Sequence, residues 1–293
     1  MARAVRSGVV RARGLEFPTL EAGDGPLVLC LHGFPDHLES FRHQLPVLAA
    51  AGFRAVAPCM RGYAPSAIPK GGGYQTAALA EDAIAIIEAL GYDDAVVFGH
   101  DWGALAAYGA ALAAPQRVRA LVTAAIPYGP QFMTAFTTNY TQQRRSWYMF
   151  FFQTPFAEAA VAYDDFAFLE RLWADWSPEW RWPEEAMMRV KETFRRPGVL
   201  EAALGYYRAA FNPALQDPRY AVLQGRMLME PIDVPAMVLH GADDGCIGVE
   251  LLEGMDAFFL RELRVEIVPG TGHFLHQEAP DAVNRLILDF LRA

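Results

Sequence analysis

The sequence has few cysteines, no long apolar run and no cluster of positive charge. Its three cysteines are Cys30, Cys59 and Cys246 in 293 residues. They are odd in number and do not have the spacing of metal ligands, so a reduced, cytoplasmic protein is expected. The net charge is −9 and the basic residues are dispersed, so nucleic acid is not expected as a partner.

Hydrophobic residues make up 53% of the chain, which is ample for a substantial core. No uninterrupted apolar stretch reaches the length of a membrane span, and the N-terminal residues lack the apolar core of a signal peptide. We therefore expect no association with a membrane. Neither an internal repeat nor a low-complexity segment is present.

Residues 95–104 predict a strand that turns directly into a helix. Four apolar residues lead into Gly99, and an alanine-rich run follows Trp102. Between them Gly99, Asp101 and Gly103 form the pattern Gly-x-Asp-x-Gly, a nucleophile elbow with Asp where serine hydrolases have Ser. Small residues two positions before and after the centre let such a turn close. The alternative is an ordinary strand-to-helix turn with Asp101 as a helix cap.

An aspartate nucleophile narrows the class of reaction. A carboxylate has an ordinary pKa of about 4, so it is ionised at neutral pH and needs no base to activate it. Attack on an ester or amide would give a mixed anhydride, which readily reverts. Attack on a saturated carbon with a leaving group or a strained ring gives a stable alkyl ester. Asp101 therefore favours alkylation over acyl transfer.

Short apolar strands alternate with helices, which predicts an α/β fold with a doubly wound, mostly parallel sheet. An opening strand pair is expected within residues 9–25. Further strands are predicted at 27–31, 53–57, 95–98, 118–124, 236–240 and 263–268. Helices are predicted at 40–51, 75–90, 103–112, 249–259 and 280–292.

Residues 129–225 differ in composition from the rest of the chain. They are 97 of 293 positions but hold 21 of the 36 aromatic residues, and no strand pattern is evident. We interpret residues 129–227 as a helical cap inserted between two parts of an α/β core, 1–128 and 228–293. The underside of the cap would form a wall of an apolar pocket. The alternative is that these aromatic rings only fill a core between helices.

Two further loops complete a possible catalytic triad. Asp243 and Asp244 follow the strand at 236–240, and His273 follows the last strand in a glycine-rich loop. Both loops lie beyond the carboxyl ends of strands, where doubly wound sheets bind their ligands. The residues alone leave either aspartate as the acid, and His273 could instead be a surface histidine.

Three motifs give the chain a resemblance to a known family. Residues 32–35 are His-Gly-Phe-Pro, residues 99–103 are Gly-His-Asp-Trp-Gly, and residues 272–274 are Gly-His-Phe, followed by Glu-Ala-Pro at 278–280. From about residue 15 to the C-terminus the chain resembles the epoxide hydrolases of the α/β-hydrolase fold. Haloalkane and haloacetate dehalogenases share these core motifs.

The resemblance implies a reaction in two steps. Asp101 attacks an epoxide carbon and forms an alkyl ester. His273 then activates a water that hydrolyses the ester, and Asp244, chosen by its spacing in related sequences, orients His273. The backbone N–H groups of Phe34 and Trp102 form the oxyanion hole. Neither a cofactor nor a metal is implied.

By similarity, Tyr148 and Tyr207 are the two cap tyrosines that hydrogen-bond the epoxide oxygen, with Tyr206 as the alternative to Tyr207. A phenol with a pKa of about 10 can donate a proton to a developing alkoxide. The substrate is expected to be a small apolar epoxide, and the protein a monomer or homodimer. The expected pocket residues are Phe34, Pro35, Trp102, Trp147, Phe151 and Phe274.

Two other functions stay open. A dehalogenase would use the same core with a halide as leaving group. Trp102 and Leu105 stand where haloacetate dehalogenases have substrate-binding arginines, but Trp102 could form half of a halide site. A non-catalytic binding protein of the same fold is disfavoured, because it would not need Asp101, Asp244 and His273 together.

Overall fold

The computed structural model describes residues 4–292 of the chain. Eight strands within this range form one sheet with the order β1-β2-β4-β3-β5-β6-β7-β8. β1 pairs antiparallel with β2 and β2 antiparallel with β4, while all other neighbours are parallel. The strands are β1 (Arg6–Ala12), β2 (Leu15–Ala22), β3 (Leu27–Leu31), β4 (Arg54–Pro58), β5 (Ala95–His100), β6 (Val118–Ala124), β7 (Ala236–Gly241) and β8 (Leu263–Val268).

Helices cover both faces of the sheet and fill the segment between β6 and β7. They are α1 (Leu45–Ala50), α2 (Thr76–Ala89), α3 (Trp102–Ala113), α4 (Pro130–Thr138), α5 (Tyr140–Arg145), α6 (Trp147–Phe151), α7 (Ala157–Trp176), α8 (Glu184–Phe194), α9 (Val199–Phe211), α10 (Ala221–Arg226), α11 (Leu275–Glu278) and α12 (Pro280–Arg292).

The central strands are apolar along their whole length because both of their faces are covered. Every residue of β3, β5 and β7 is buried. Successive side chains of a strand point to opposite faces, so Val97 packs into one hydrophobic cluster and its neighbours Val96 and Phe98 into another. This double burial explains the continuous apolar runs in the sequence.

Helices α4 to α10 form a helical insertion, residues 130–226, between β6 and β7. Polar contacts join it to the loops of the sheet. The indole N–H of Trp173 donates to the carbonyl oxygen of Pro35 at 3.0 Å, and the hydroxyl of Tyr206 donates to the carbonyl oxygen of Arg61 at 2.6 Å. The insertion therefore lies against the loops that follow β3 and β4.

The structure confirms the predicted doubly wound, mostly parallel α/β sheet. Two predicted helices differ from it. Residues 249–259 form two short 3₁₀ segments instead of one α-helix, because Gly254 between them has a left-handed φ of 76°. Residues 40–51 also divide, and α1 begins only at Leu45, where Pro46 lies in the first turn. Proline suits the first turn of a helix but not its interior.

None of the helices in residues 4–292 is both long enough and apolar enough to cross a membrane.

Candidate active site

Asp101 lies at the sharp turn between β5 and α3. Its backbone has φ 51° and ψ −120°, a conformation that residues other than glycine rarely adopt. A Cβ atom on Gly99 would lie 2.1 Å from the carbonyl oxygen of Gly103, and one on Gly103 would lie 2.0 Å from that of Leu31. Both glycines are therefore required by close backbone packing around this turn.

A backbone N–H group contacts the Asp101 carboxylate. The N–H of Phe34, in the loop after β3, donates to Asp101 Oδ1 at 2.7 Å. Trp102 is the first residue of α3, and the first N–H groups of a helix have no acceptor within the helix itself. The positive end of the helix dipole thus lies directly after Asp101 in the chain.

His273 lies between two carboxylates. Its Nδ1 is 2.9 Å from Asp244 Oδ2, and its Nε2 is 3.6 Å from Asp101 Oδ2. Because an ionised carboxylate only accepts hydrogen bonds, Nδ1 carries the proton shared with Asp244. Nε2 has no hydrogen-bond partner among the residues described. This nitrogen is the one available to bind or release a proton next to Asp101.

Asp244, and not its neighbour Asp243, is in contact with the imidazole of His273. Asp244 is buried, and its Oδ1 accepts hydrogen bonds from the backbone N–H groups of Cys246 at 2.7 Å and Ile247 at 2.9 Å. Asp243 is exposed to solvent. The two backbone hydrogen bonds fix the carboxylate so that Oδ2 points at His273.

Burial and nearby charges act in opposite directions on the pKa of His273. Burial lowers the pKa, whereas Cys246 and the two carboxylates raise it, and the result is well above the ordinary value. The positively charged imidazolium is therefore favoured while both aspartates are ionised.

Tyr148 of α6 and Tyr207 of α9 are both buried, with ring centroids 5.6 Å apart. The hydroxyl of Tyr148 lies 3.3 Å from Cys246 Sγ, and that of Tyr207 has no hydrogen-bond partner in residues 4–292. Burial raises the pKa of both phenols well above its usual value, so both keep their protons at neutral pH. The hydroxyl of Tyr206, in contrast, is already bonded to the backbone of Arg61.

A cavity of about 210 Å³ opens next to Asp101, Trp102 and Tyr207. Apart from Asp101 and the polar side chains of Thr76 and Gln224, its wall is mainly apolar. The large apolar side chains include Leu105, Phe132, Phe136, Met149, Phe211 and Met227. Such a cavity suits a small apolar molecule whose reactive end reaches Asp101.

Three residues expected in the pocket lie elsewhere. Tyr148 of α6 and Phe152, the residue that ends this helix, are four residues apart and both buried. Trp147 and Phe151 therefore lie on a different side of the helix. Trp147 is 44% exposed and packs against Phe151. The ring of Phe274 is buried against Trp173, Trp176 and Trp180.

Phe34 and Pro35 also lie outside the wall of the cavity, although they are close to its reactive end. The ring of Phe34 packs against Tyr207, with centroids 5.2 Å apart. Pro35 contributes the carbonyl group that accepts the Trp173 hydrogen bond. Of the six expected pocket residues, Trp102 lines the cavity.

Sequence reasoning did not identify two residues that contact His273. The carbonyl oxygen of Trp176 accepts the backbone N–H groups of His273 and Gly245, each at 3.0 Å. The ring centroid of Trp176 lies 5.1 Å from that of the His273 imidazole and 4.8 Å from that of Tyr148. The second is Cys246, whose Sγ lies within 4.8 Å of a ring nitrogen of His273. Its position two residues after Asp244 was the available signal.

Within residues 4–292, two buried groups of side chains have the composition of metal sites: Asp36 with His100 and His276, and Asp244 with Cys246 and His273. In the first, the Asp36 carboxylate already accepts hydrogen bonds from the Ser40 hydroxyl and the Gln277 amide, and His276 Nε2 is bonded to Ser40. The Asp36 carboxylate and His276 Nε2 are therefore hydrogen-bonded, whereas His100 Nδ1 and His276 Nδ1 have no partner among the described residues.

The sequence matches the α/β hydrolase fold family over residues 26–280. It is 30% identical to the AB hydrolase superfamily protein YfhM of Bacillus subtilis (strain 168), with 98% of each chain covered. It is 30% identical to epoxide hydrolase 4 of Homo sapiens over 97% of this chain and 77% of that protein. An epoxide hydrolase from Bacillus megaterium, in complex with an inhibitor, has a similar structure, with a TM-score of 0.85, 28% identity and coverage of 98% and 100%. The chain therefore belongs to the α/β-hydrolase fold family and, within it, to the epoxide hydrolases.

Proposed function

We propose that this protein hydrolyses small apolar epoxides to vicinal diols through an alkyl ester on Asp101. The observation that carries the proposal is the combination of an aspartate at the elbow with two buried phenols and a His273–Asp244 pair. The names of the human and Bacillus megaterium relatives agree with this function.

In the first step, a carboxylate oxygen of Asp101 attacks an epoxide carbon while Tyr148 and Tyr207 donate to the epoxide oxygen. An alkoxide is a strong base and a poor leaving group, so a proton donor is needed as the C–O bond breaks. The high pKa of each phenol keeps it protonated until the alkoxide forms. One C–O bond to Asp101 forms as one bond of the ring breaks.

In the second step, His273 takes a proton from water, and the water oxygen attacks the carbonyl carbon of the ester. The bond from this carbon to the alkyl oxygen then breaks, and the imidazolium of His273 protonates the leaving oxygen, so the diol departs. The carboxyl proton of Asp101 restores the phenol that donated in the first step. Formation of the ester removes the negative charge of Asp101, which is one of the groups that raise the pKa of His273. The pKa of the imidazole therefore falls when a base is required. The N–H groups of Phe34 and Trp102 stabilise the oxyanion, and one such donor is worth about 3 kcal/mol in comparable sites.

We assign the helical insertion the role of a cap, with core segments 1–128 and 228–293 and cap residues 129–227. Tyr148, Tyr207 and most of the large apolar side chains around the cavity come from the insertion. Covering Asp101 in this way would exclude water during alkylation and strengthen the hydrogen bonds to the epoxide oxygen.

Dehalogenation is the second candidate. The buried indole N–H of Trp102 has no hydrogen-bond partner in the described part of the chain, and such a donor could bind a halide. A halide is a weak base, however, and would not require the two phenols. The paired tyrosines therefore favour the epoxide over the haloalkane.

Parallel assays with styrene oxide, a 1-haloalkane and fluoroacetate test this proposal, together with tyrosine variants. Replacing Tyr148 and Tyr207 by Phe should slow alkylation by about 10²–10⁴-fold, the usual contribution of proton transfer, without changing the volume of the site. Rapid-quench measurement of ester formation isolates this step.

The matched control is Tyr206→Phe, which removes an adjacent buried hydroxyl that is bonded to the Arg61 carbonyl group. Its alkylation rate should stay close to that of the unmodified enzyme. Normal epoxide opening in the double Phe variant, or turnover of haloalkanes alone, would contradict the proposal.

A further inference from the structure

We propose that Cys246, His273 and Asp244 form an inhibitory site for a thiophilic divalent cation of the zinc and cadmium class. The three residues are fully or almost fully buried, and their donor atoms lie within 4.8 Å of one another. This inference rests on the role proposed for His273 in ester hydrolysis.

The spacing of these donor atoms is close to that of a metal site. With metal–ligand distances of about 2.0–2.3 Å, the donor atoms of a tetrahedral zinc site are about 3.5 Å apart. Side-chain shifts of about 1 Å would therefore complete the coordination. Thiolate and imidazole are the ligands that zinc and its heavier relatives prefer, and a carboxylate completes the set.

The same residues offer an unused donor and a path for the ion. His273 Nε2 is buried without a hydrogen-bond partner among the described residues and lies 3.6 Å from Asp101 Oδ2. Asp101 in turn lines the cavity, so an ion that enters the cavity is adjacent to His273. The Asp36–His100–His276 group is less suitable because it contains no thiol and none of its residues lines the cavity.

Metal binding would remove the groups that the second step requires. The Cys246 thiol releases its proton to solvent as the sulfur–metal bond forms, and the imidazolium of His273 releases one proton as its nitrogen binds. A metal on Nε2 occupies the electron pair that accepts the proton from water. A metal on Nδ1 replaces the proton shared with Asp244, so either geometry inhibits ester hydrolysis.

Cadmium titration of the purified enzyme tests the site by a readout that does not depend on activity. A cadmium–thiolate bond gives a charge-transfer absorption in the ultraviolet, which should saturate at one ion per chain. Cys246→Ala should abolish this band. Cys59→Ala is the matched control, because it removes another buried thiol outside the group and should leave the band unchanged.

His273→Gln provides a second variant that keeps the thiol. It should weaken cadmium binding by at least about tenfold, as expected when a metal site loses a supporting group. In the unmodified enzyme, inhibition should follow the same saturation curve as the absorption band, and a chelator should restore the rate.

Absence of the band, or its persistence in Cys246→Ala, would overturn the inference. If the enzyme binds one cadmium ion but hydrolyses no epoxide, the metal site is supported and the proposed function is refuted. An enzyme that hydrolyses epoxides without binding cadmium would refute the metal site alone.

Discussion

Replacing Asp244 by Asn tests the most specific feature of the site. Asp244 Oδ1 accepts two backbone hydrogen bonds, from Cys246 at 2.7 Å and Ile247 at 2.9 Å, and the carbonyl oxygen of Asn can keep both. The other carboxylate oxygen, 2.9 Å from His273 Nδ1, would become an amide group that donates. His273 Nδ1 must then accept this hydrogen bond, which forces the proton onto Nε2.

This change of tautomer removes the base without removing the nucleophile. The equivalent substitution in serine protease triads lowers kcat by about 10⁴-fold while the geometry is retained. A loss of similar size here corresponds to about 5 kcal/mol in the barrier to ester hydrolysis. Alkylation of Asp101 should continue, so the ester should accumulate to about one per chain.

Rapid mixing with an epoxide, followed by acid quench and intact-protein mass spectrometry, measures both steps in one experiment. Asp243→Asn is the matched control, because it makes the same change of charge at an adjacent, exposed position. Its hydrolysis rate should remain within a few-fold of the unmodified enzyme. The reasoning would be refuted if Asp244→Asn kept a tenth of the hydrolysis rate of the unmodified enzyme. It would also be refuted if Asp243→Asn lost as much of this rate as Asp244→Asn does. Circular dichroism of each variant verifies that it is folded.

Two further predictions concern His273. His273→Gln should permit alkylation and block hydrolysis, so peptide mass spectrometry should find the mass of the substrate on Asp101; a label elsewhere, or turnover without any label, would exclude the ester. The Asp101 carboxylate raises the pKa of His273 in the free enzyme, and the ester lacks this charge. The pKa of His273 should therefore be lower in the ester, so the rate of ester hydrolysis should begin to fall at a lower pH than the pKa of His273 in the free enzyme. Single-turnover hydrolysis as a function of pH, compared with an NMR titration of His273 in the free enzyme, checks this. Equal pKa values would show that the Asp101 charge has no such effect.

The sequence predicted the sheet because its strongest signals are local. The strands β3, β5 and β7 are buried on both faces, and this burial requires the uninterrupted apolar runs that are visible in the sequence. The elbow was equally predictable, because a Cβ atom at Gly99 or Gly103 would lie under 2.5 Å from a backbone oxygen, so both positions require glycine. Burial of the central strands and close packing around the elbow each determine the residue types within a short stretch of sequence.

The segments that the sequence described less well depend on weaker or more distant effects. The predicted helix at 249–259 had suitable residues, yet Gly254 adopts a left-handed conformation and divides it. The pocket wall depended on the rotation of α6, which places Tyr148 inward and Trp147 outward. Aromatic residues occur on every side of this short helix, so its amphipathic pattern did not reveal the buried face.

The sequence by itself determined the α/β fold, the elbow at Asp101 and the loops that contain the candidate acid and His273. Only the tertiary structure decided that Asp244 contacts the imidazole while Asp243 faces solvent. It also decided that the hydroxyl of Tyr207 has no hydrogen-bond partner within residues 4–292, while that of Tyr206 is bonded to Arg61. Adjacent residues have nearly the same sequence neighbours. They differ in the direction of their side chains, and that direction is set by packing between segments far apart in the chain.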